Sequence, residues 1–377
     1  MKYLLMIPGP VEIPEDILEH ISAQPVAHYG PEWARFYLET AESVSRLLST
    51  KGRTFIMPGS GSLGLDTVGA SFCREKRCLV LHNGQFGQRL YDIISKYTSH
   101  LHVLTFPLQA PVDPDVLKRS LQRERYDVIL MTHVETSTGI LNPAEEVGKI
   151  AQDHGLLLIL DAISSVGIER LEMDDWSIGV TVTASQKGLE CPPGLALVTV
   201  QSDLMERAGE TAPNSWYTNL ATWIEYYEKW HEWHPYPVTL PTSIICALAA
   251  SVRMIEAEGT EKRCGIYRDV SRRLRNALTA LGLEPFAPEE CYAHGLTAIS
   301  TKGKFIPSQL ITFLKEKLEI QITGSFGEIA NRVFRIGHMS RKQCRYSSLL
   351  RVVNGIALFM MEKGLKISCE EALRAFI

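Results

Sequence analysis

Long apolar runs are missing from this chain of 377 residues. No segment approaches the roughly 20 consecutive apolar residues that a bilayer-spanning helix requires. The apolar stretch in MKYLLMIPGP covers about five positions, short of the h-region of a secretory leader. A membrane-spanning or exported protein is therefore not expected. Charge of one sign does not accumulate either: 39 Lys and Arg are interspersed with 43 Asp and Glu, for a net charge of −4. Without a basic stripe, neither nucleic acid nor an anionic membrane is an expected partner. Cysteine is sparse, at positions 73, 78, 191, 246, 264, 291, 344 and 369. None stands in a C-x-x-C pair or another metal-ligand spacing, which points to free thiols in a reducing compartment and away from disulfides. The terminal Ala375-Phe376-Ile377 matches no address tripeptide, so a cytoplasmic location is expected. Internal repeats and low-complexity tracts are absent as well.

What is there is an alternation of short apolar runs with amphipathic segments. Arg77–Leu81, Leu101–Phe106, Tyr126–Thr132, Leu156–Leu160 and Val180–Thr183 read as strands, with helices expected over 87–97, 115–123 and 144–154. Continuous β-branched and leucine runs separated by helices predict a mostly parallel sheet buried on both faces. A sixth strand, Leu195–Val200, follows its predecessor after a short Pro-Pro-Gly turn and is expected to run antiparallel. A long helix over 241–257 ends at Gly259, and the pattern then changes to helices over 260–281 and 307–318 around short strands at 296–300 and 333–336. This predicts an α/β chain with a large domain over 16–255 and a smaller one over 256–377, ligands sitting at the carboxyl ends of the large sheet.

Unusual residues cluster at those strand ends. Leu156–Leu160 runs directly into Asp161, a carboxylate that needs a charged or hydrogen-bonded partner if it is buried. It either caps the following turn or awaits a cationic ligand such as a pyridinium nitrogen. One strand later, Val180–Ala184 runs into Ser185-Gln186-Lys187-Gly188. Lys187 is either a surface lysine or, if partly desolvated, an amine able to attack a carbonyl. The glycine-rich PGSGSLG (58–64) before an apolar helix lets backbone amides approach an anion. It lacks the Gly-Lys-Ser/Thr of a P-loop, and no strong strand was expected before it, which disfavours a dinucleotide site. HVETSTG (133–139) is either a capping cluster or a set of hydroxyls facing a ligand ring. In WIEYYEKWHEWH (223–234), His231 and His234 lack further ligands, so packing and a subunit interface are the expectation rather than a metal.

PGSGS, HNGQFGQR, HVETSTG, LDAISS, SQKG with PPG, and RIGHMS occur in the order that characterises class V, fold type I aminotransferases dependent on pyridoxal phosphate. Over nearly the whole length the chain resembles that family, and within it the alanine–glyoxylate and serine–pyruvate subgroup. The resemblance implies a large domain with a mostly parallel sheet sandwiched by helices plus a smaller C-terminal α/β domain. It implies pyridoxal phosphate as cofactor, Lys187 as the Schiff-base lysine, and Asp161 as the partner of the pyridine nitrogen. Ser60, Gly61, Ser62 and Gln186 would hold the phosphate, Thr136 would contact the ring, and Phe86 would stack on its face. Tyr236 and Thr239 would reach the phosphate of a neighbouring subunit in a homodimer with shared active sites. Arg335 would clamp the substrate carboxylate, and Gly9, within Pro8-Gly9-Pro10 of an N-terminal segment 1–15, would line the substrate side. The implied reaction moves an amino group from a small amino acid, alanine or serine, to a small 2-oxo acid, glyoxylate or pyruvate. Relatives acting on 2-aminoethylphosphonate, ureidoglycine or pyridoxamine share most of these motifs. The chain departs from the pattern at Phe86, where relatives often carry Trp or Tyr, at Ser62, where some carry His, and in the loosely matching Ser215–Asn219. Two readings from other classes are a binding protein that kept the fold without turnover and a nucleotide-dependent oxidoreductase built on the glycine turn. Cys369 raises a cysteine desulfurase, but no catalytic-cysteine loop surrounds it.

Overall fold

The computed structural model of the protein describes residues 3–209 and 215–377. Seven strands form the central sheet: β1 (Arg53–Gly59), β2 (Cys78–His82), β3 (Leu101–Thr105), β4 (Val128–Thr132), β5 (Leu157–Asp161), β6 (Val180–Ala184) and β7 (Gly194–Val200). Their order is β1-β7-β6-β5-β4-β2-β3. The strands are parallel except β7, which is antiparallel to both β1 and β6. Every residue of β4, β5 and β6 is buried, so these runs need no polar alternation, as expected of a sheet covered by helices on both faces. The expected strands and the antiparallel sixth are all present.

Strand β1 corrects the expectation that the glycine turn lacks a strand before it. Pro58 obscured it, because proline is rare inside sheets. β1 is an edge strand paired only with β7, where Pro58 sits opposite Leu195, and an edge has one side on which no ladder donor is required.

The chain forms two main apolar cores. One runs from Ile17 to Ile255 around the central sheet. The other packs Tyr267, Leu274 and residues onward to Phe376 against a second sheet. That sheet contains β8 (Glu284–Pro285), β9 (Leu296–Ser300), β10 (Thr323–Gly324) and β11 (Val333–Gly337), in the order β8-β9-β11-β10. The N-terminal residues join the second core: Leu4–Leu5 pair in parallel with Ile320–Gln321, and Gln343 Nε2 donates to the Leu5 carbonyl at 2.9 Å. This anchoring carries Pro8–Pro10 to the end of β6, where the Val11 amide donates to the Gln186 carbonyl at 3.2 Å.

Candidate active site

Because β1, β4, β5 and β6 point the same way, their carboxyl ends deliver Ser60, Thr136, Asp161 and Lys187 to one edge of the sheet. Asp161, the last residue of β5, is paired laterally with Thr132 of β4 and Val182 of β6. Its carboxylate accepts from the Ile163 amide at 3.0 Å. Burial pushes its carboxyl up from 3.8 to about 6; the Ile163 amide works against this, Glu135 adds to it, and Lys187 and Arg89 oppose it. Such a carboxylate gains from the arrival of a cation.

Lys187 lies three residues beyond β6, partly buried. Desolvation, and after it the nearby Arg335 guanidinium, pull its amine down from 10.5 to about 8; Asp161 acts the other way and Arg89 adds to the lowering. The amine donates to the Pro8 carbonyl. Gly9 must be glycine here: its φ is +93°, and a Cβ would stand 2.6 Å from Lys187 Cδ and 2.8 Å from Nζ.

Lys187 and Asp161 open onto one cavity of about 290 Å³, whose walls include Gly9, Ser60, Gly61, Ser62, Phe86 and Gln186. Larger cavities lie elsewhere, about 410 Å³ beside Arg53 and Tyr227 and about 570 Å³ beside Trp33 and Phe36, but Lys51, Glu42, Glu206 and Glu228 on the first are all exposed and the second has no lysine. Ser60 is the N-cap of α1 (Gly61–Val68), in extended conformation and making no side-chain cap hydrogen bond. The first amides of that helix and its dipole are therefore available to an anion. A Cβ on Gly61 would lie 2.5 Å from Ile163 Cδ1, so glycine keeps the helix start close to the end of β5.

Phe86 is the second residue of α2 (Gln85–Ile94). It is held by Glu135, which lies with Val134 in a two-stranded hairpin with Ile140–Leu141. The Glu135 carboxylate is fully buried and accepts from the Phe86 amide at 2.9 Å, the Gly87 amide at 3.0 Å, the Ser137 amide at 3.0 Å and the Ser137 hydroxyl. Sequence reasoning left HVETSTG open between capping and ligand contact. Glu135 caps α2, a role visible in sequence only as an acidic residue between a buried strand and a hairpin turn. Arg89, also on the cavity wall, lies over the Phe86 ring at 4.9 Å and was not singled out from the sequence.

The remaining candidates stand around or away from this cavity. Thr136 is buried but does not line the cavity, and its carbonyl accepts from Arg335 Nη1 at 2.9 Å. Arg335, on β11, is 4% exposed, and its Nε donates to the Gly324 carbonyl at 2.8 Å. Burial lowers this guanidinium to about 10 despite Glu135 nearby. Tyr236 and Thr239 are not brought to the cavity of their own chain. Tyr236 is fully buried, packs on His234 with 4.6 Å between ring centroids, and donates its hydroxyl to the His28 carbonyl.

A cofactor suited to this cavity must carry an electrophile for Lys187, a cationic ring atom for Asp161, an aromatic face for Phe86 and an anion for the start of α1. Gln186 Oε1, buried on the same wall without a hydrogen-bond partner among the described residues, marks a further polar group that a ligand would satisfy. Pyridoxal phosphate has all four features, and the residues fit it. Fold and site together define an enzyme of the pyridoxal-phosphate class.

Comparison with known proteins refines this. Residues 17–354 match the family Aminotransferase class-V. The chain is 30% identical to the L-aspartate–glyoxylate aminotransferase of Paracoccus denitrificans, over 89% of this chain and 86% of that protein. It is 27% identical to alanine–glyoxylate aminotransferase 1 of Saccharomyces cerevisiae, over 90% and 92%. Its structure superposes on that of the ureidoglycine–glyoxylate aminotransferase of Bacillus subtilis with a TM-score of 0.93 and 26% identity, over 100% of this chain and 97% of that one. The chain belongs to the class-V aminotransferase family, and its cofactor is pyridoxal phosphate.

Proposed function

We propose that this enzyme moves an amino group from a small amino acid, alanine or serine, to a small 2-oxo acid, glyoxylate or pyruvate. The observation that carries the reading is the opening of Lys187 and Asp161 onto one cavity with Arg335 close enough to depress the lysine amine. The cavity's 290 Å³ is near the lower end of the roughly 300–1,000 Å³ usual for small-molecule sites, which leaves little room beside a cofactor and favours short substrates. All three relatives compared above carry glyoxylate in their names, while their donors differ. This supports glyoxylate as acceptor more strongly than any one donor.

In this reading Ser60, Gly61, Ser62 and Gln186 hold the cofactor phosphate, Phe86 stacks on the ring, and Thr136 lies beside it. When bound, pyridoxal phosphate supplies an aromatic system that accepts electron density from the substrate Cα. Asp161 keeps a proton on the ring nitrogen through its negative charge. Arg335 orients the substrate carboxylate, and Gly9 leaves the Lys187 amine clear on the substrate side. With its proton affinity lowered by burial, Lys187 Nζ takes a proton from Cα and returns one later, as a general base and acid working near neutral pH. Thr239, exposed and outside its own chain's cavity, serves a neighbouring subunit in a homodimer, whereas Tyr236, buried with its hydroxyl on the His28 carbonyl, packs the segment that presents it. The two apolar cores support a large domain over 16–255 and a small one over 256–377, with 1–15 as the segment bridging to the site. A cytoplasmic location completes the reading; no helix of the described residues is long and apolar enough to cross a membrane.

The test is formation of pyruvate and glycine from alanine and glyoxylate by protein supplied with pyridoxal phosphate, compared with Lys187→Ala. Turnover and cofactor-dependent visible absorption should both vanish in the variant. Their persistence rejects the assignment of Lys187, and a wild-type enzyme inactive with every small donor rejects the substrate class.

A further inference from the structure

Phe326 is an aromatic side chain that none of the roles above uses. It is 39% exposed, yet its surroundings are specific. Its ring centroid lies 4.7 Å from the Arg335 guanidinium carbon. The same ring meets Phe86 edge-on, with 6.1 Å between centroids and 85° between planes. It thus touches both the group read as the carboxylate clamp and the group read as the stacking partner of the cofactor.

The backbone presenting this ring is anchored on both sides. Gly324 accepts from Arg335 Nε at 2.8 Å, Ser325 Oγ donates to the Ser137 carbonyl at 2.5 Å, and the Ser325 amide donates to the Val333 carbonyl at 3.2 Å. After it, Ile329 is buried against Phe286, Ala298 and Val333. Phe326 is therefore aimed by fixed neighbours on either side of it.

The hydrogen bonds of Arg335 define the open edge of the clamp. Nε and Nη1 are taken by the Gly324 and Thr136 carbonyls, and Nη2 has no hydrogen-bond acceptor among the described residues. A carboxylate must approach in the guanidinium plane by the Nη2 edge, because Phe326 covers one face. Because its ring contacts both Arg335 and Phe86, Phe326 is placed to limit the side chain of a substrate whose carboxylate is held by Arg335. Covering the guanidinium also keeps water from it, which strengthens its pairing with a carboxylate.

We propose that Phe326 is a specificity-determining residue that closes the substrate site beside Arg335 and restricts donors to amino acids with short, unbranched side chains. The proposal rests on reading Arg335 as the carboxylate clamp. One methylene against an apolar wall changes discrimination by about 10–200-fold, so even partial opening of this wall is measurable.

The experiment compares wild type, Phe326→Ala and Phe326→Leu in two ways. First, kcat/KM is measured for alanine, 2-aminobutyrate and norvaline with glyoxylate as acceptor. Second, the affinities of the unreactive acids propionate and pentanoate are measured by calorimetry on the protein with and without pyridoxal phosphate. Phe326→Ala should raise the norvaline-to-alanine ratio and the pentanoate-to-propionate affinity ratio by about tenfold or more, whereas Phe326→Leu, which keeps the bulk, should hold both within about threefold of wild type. If the ratios in Phe326→Ala stay within about twofold, or all donors fall together as a purely structural defect would make them, the proposal is overturned. Arg335→Gln separates the two levels. A raised alanine KM there with unchanged Phe326→Ala ratios overturns this proposal alone, and an unchanged alanine KM removes the clamp and the proposal with it.

Discussion

Removing the Glu135 carboxylate should both destabilise the protein and loosen its cofactor site. Glu135 is fully buried and accepts four hydrogen bonds, three of them from backbone amides at the start of α2 and in the hairpin. In Glu135→Gln the new amide must turn its NH2 toward one of the two donor sets. Facing the Phe86 and Gly87 amides, it would oppose two N–H groups that cannot rotate. Facing Ser137, it can donate to the hydroxyl, which rotates to accept, and only the Ser137 amide is stranded. The second orientation wins. Its cost is one buried unsatisfied donor, about 1–3 kcal/mol, plus the loss of charge assistance at Phe86 and Gly87 and of the anion's interaction with the helix dipole, about 1 kcal/mol more. Glu135→Gln should therefore lower stability by about 2–4 kcal/mol, and Glu135→Ala, which strands all four donors, by more. The assay is urea unfolding of cofactor-free protein, followed by titration with pyridoxal phosphate. Because Phe86 is held through its amide, cofactor affinity should weaken by up to about tenfold, the worth of one aromatic stack. An unfolding midpoint for Glu135→Ala equal to wild type, with unchanged cofactor affinity, would refute the reasoning.

Two further perturbations follow from buried charges. The folded protein holds a proton on Asp161 up to about pH 6, whereas the unfolded chain loses it near 3.8, so this group's contribution to stability is present below pH 4 and lost as pH rises to about 6. In cofactor-free protein Asp161→Asn should thus be the more stable form above pH 6, by up to ~3 kcal/mol, with no such gain below pH 4; urea midpoints across pH 3.5–8, chosen to span about this window, check the sign, and a gain appearing only at low pH contradicts it. Arg263 is buried between the Glu190 carboxylate, Glu258 at 2.8 Å and the carbonyls of Gly167 at 2.6 Å and Gly188 at 3.1 Å. Arg263→Met leaves the buried Glu190 carboxylate with only the Arg341 amide at 3.1 Å and guanidinium at 3.6 Å and should cost up to about 3–5 kcal/mol, part of which Glu190→Gln recovers in the double variant; a double variant no more stable than Arg263→Met argues against charge burial as the cause.

Legibility in the sequence followed the kind of interaction involved. Leu156–Leu160 and Val180–Ala184 were readable as buried strands because each carries its pattern within five residues, and Asp161 and Lys187 stood out as charges ending such runs. β1 was missed because its proline looks wrong until its edge position is known. Arg335 was singled out through the RIGHMS motif, while Phe326, Arg89 and the capping role of Glu135 were not. Each of these three acquires its meaning from a partner in another segment: Arg335 for Phe326, Phe86 for Arg89, and the Phe86 and Gly87 amides for Glu135.

By itself the sequence determined the alternation of elements, the parallel sheet and the placing of Asp161 and Lys187 at strand ends, because local periodicity and strand-end chemistry are written in adjacent residues. Only the tertiary structure decided that Gly9, some 180 positions away, shapes the space around Lys187, that a hairpin glutamate fixes Phe86, and that Phe326 covers Arg335. Those relations depend on which strand ends and loops converge in space. Convergence is a property of sheet order and domain packing, and no local stretch of sequence contains it.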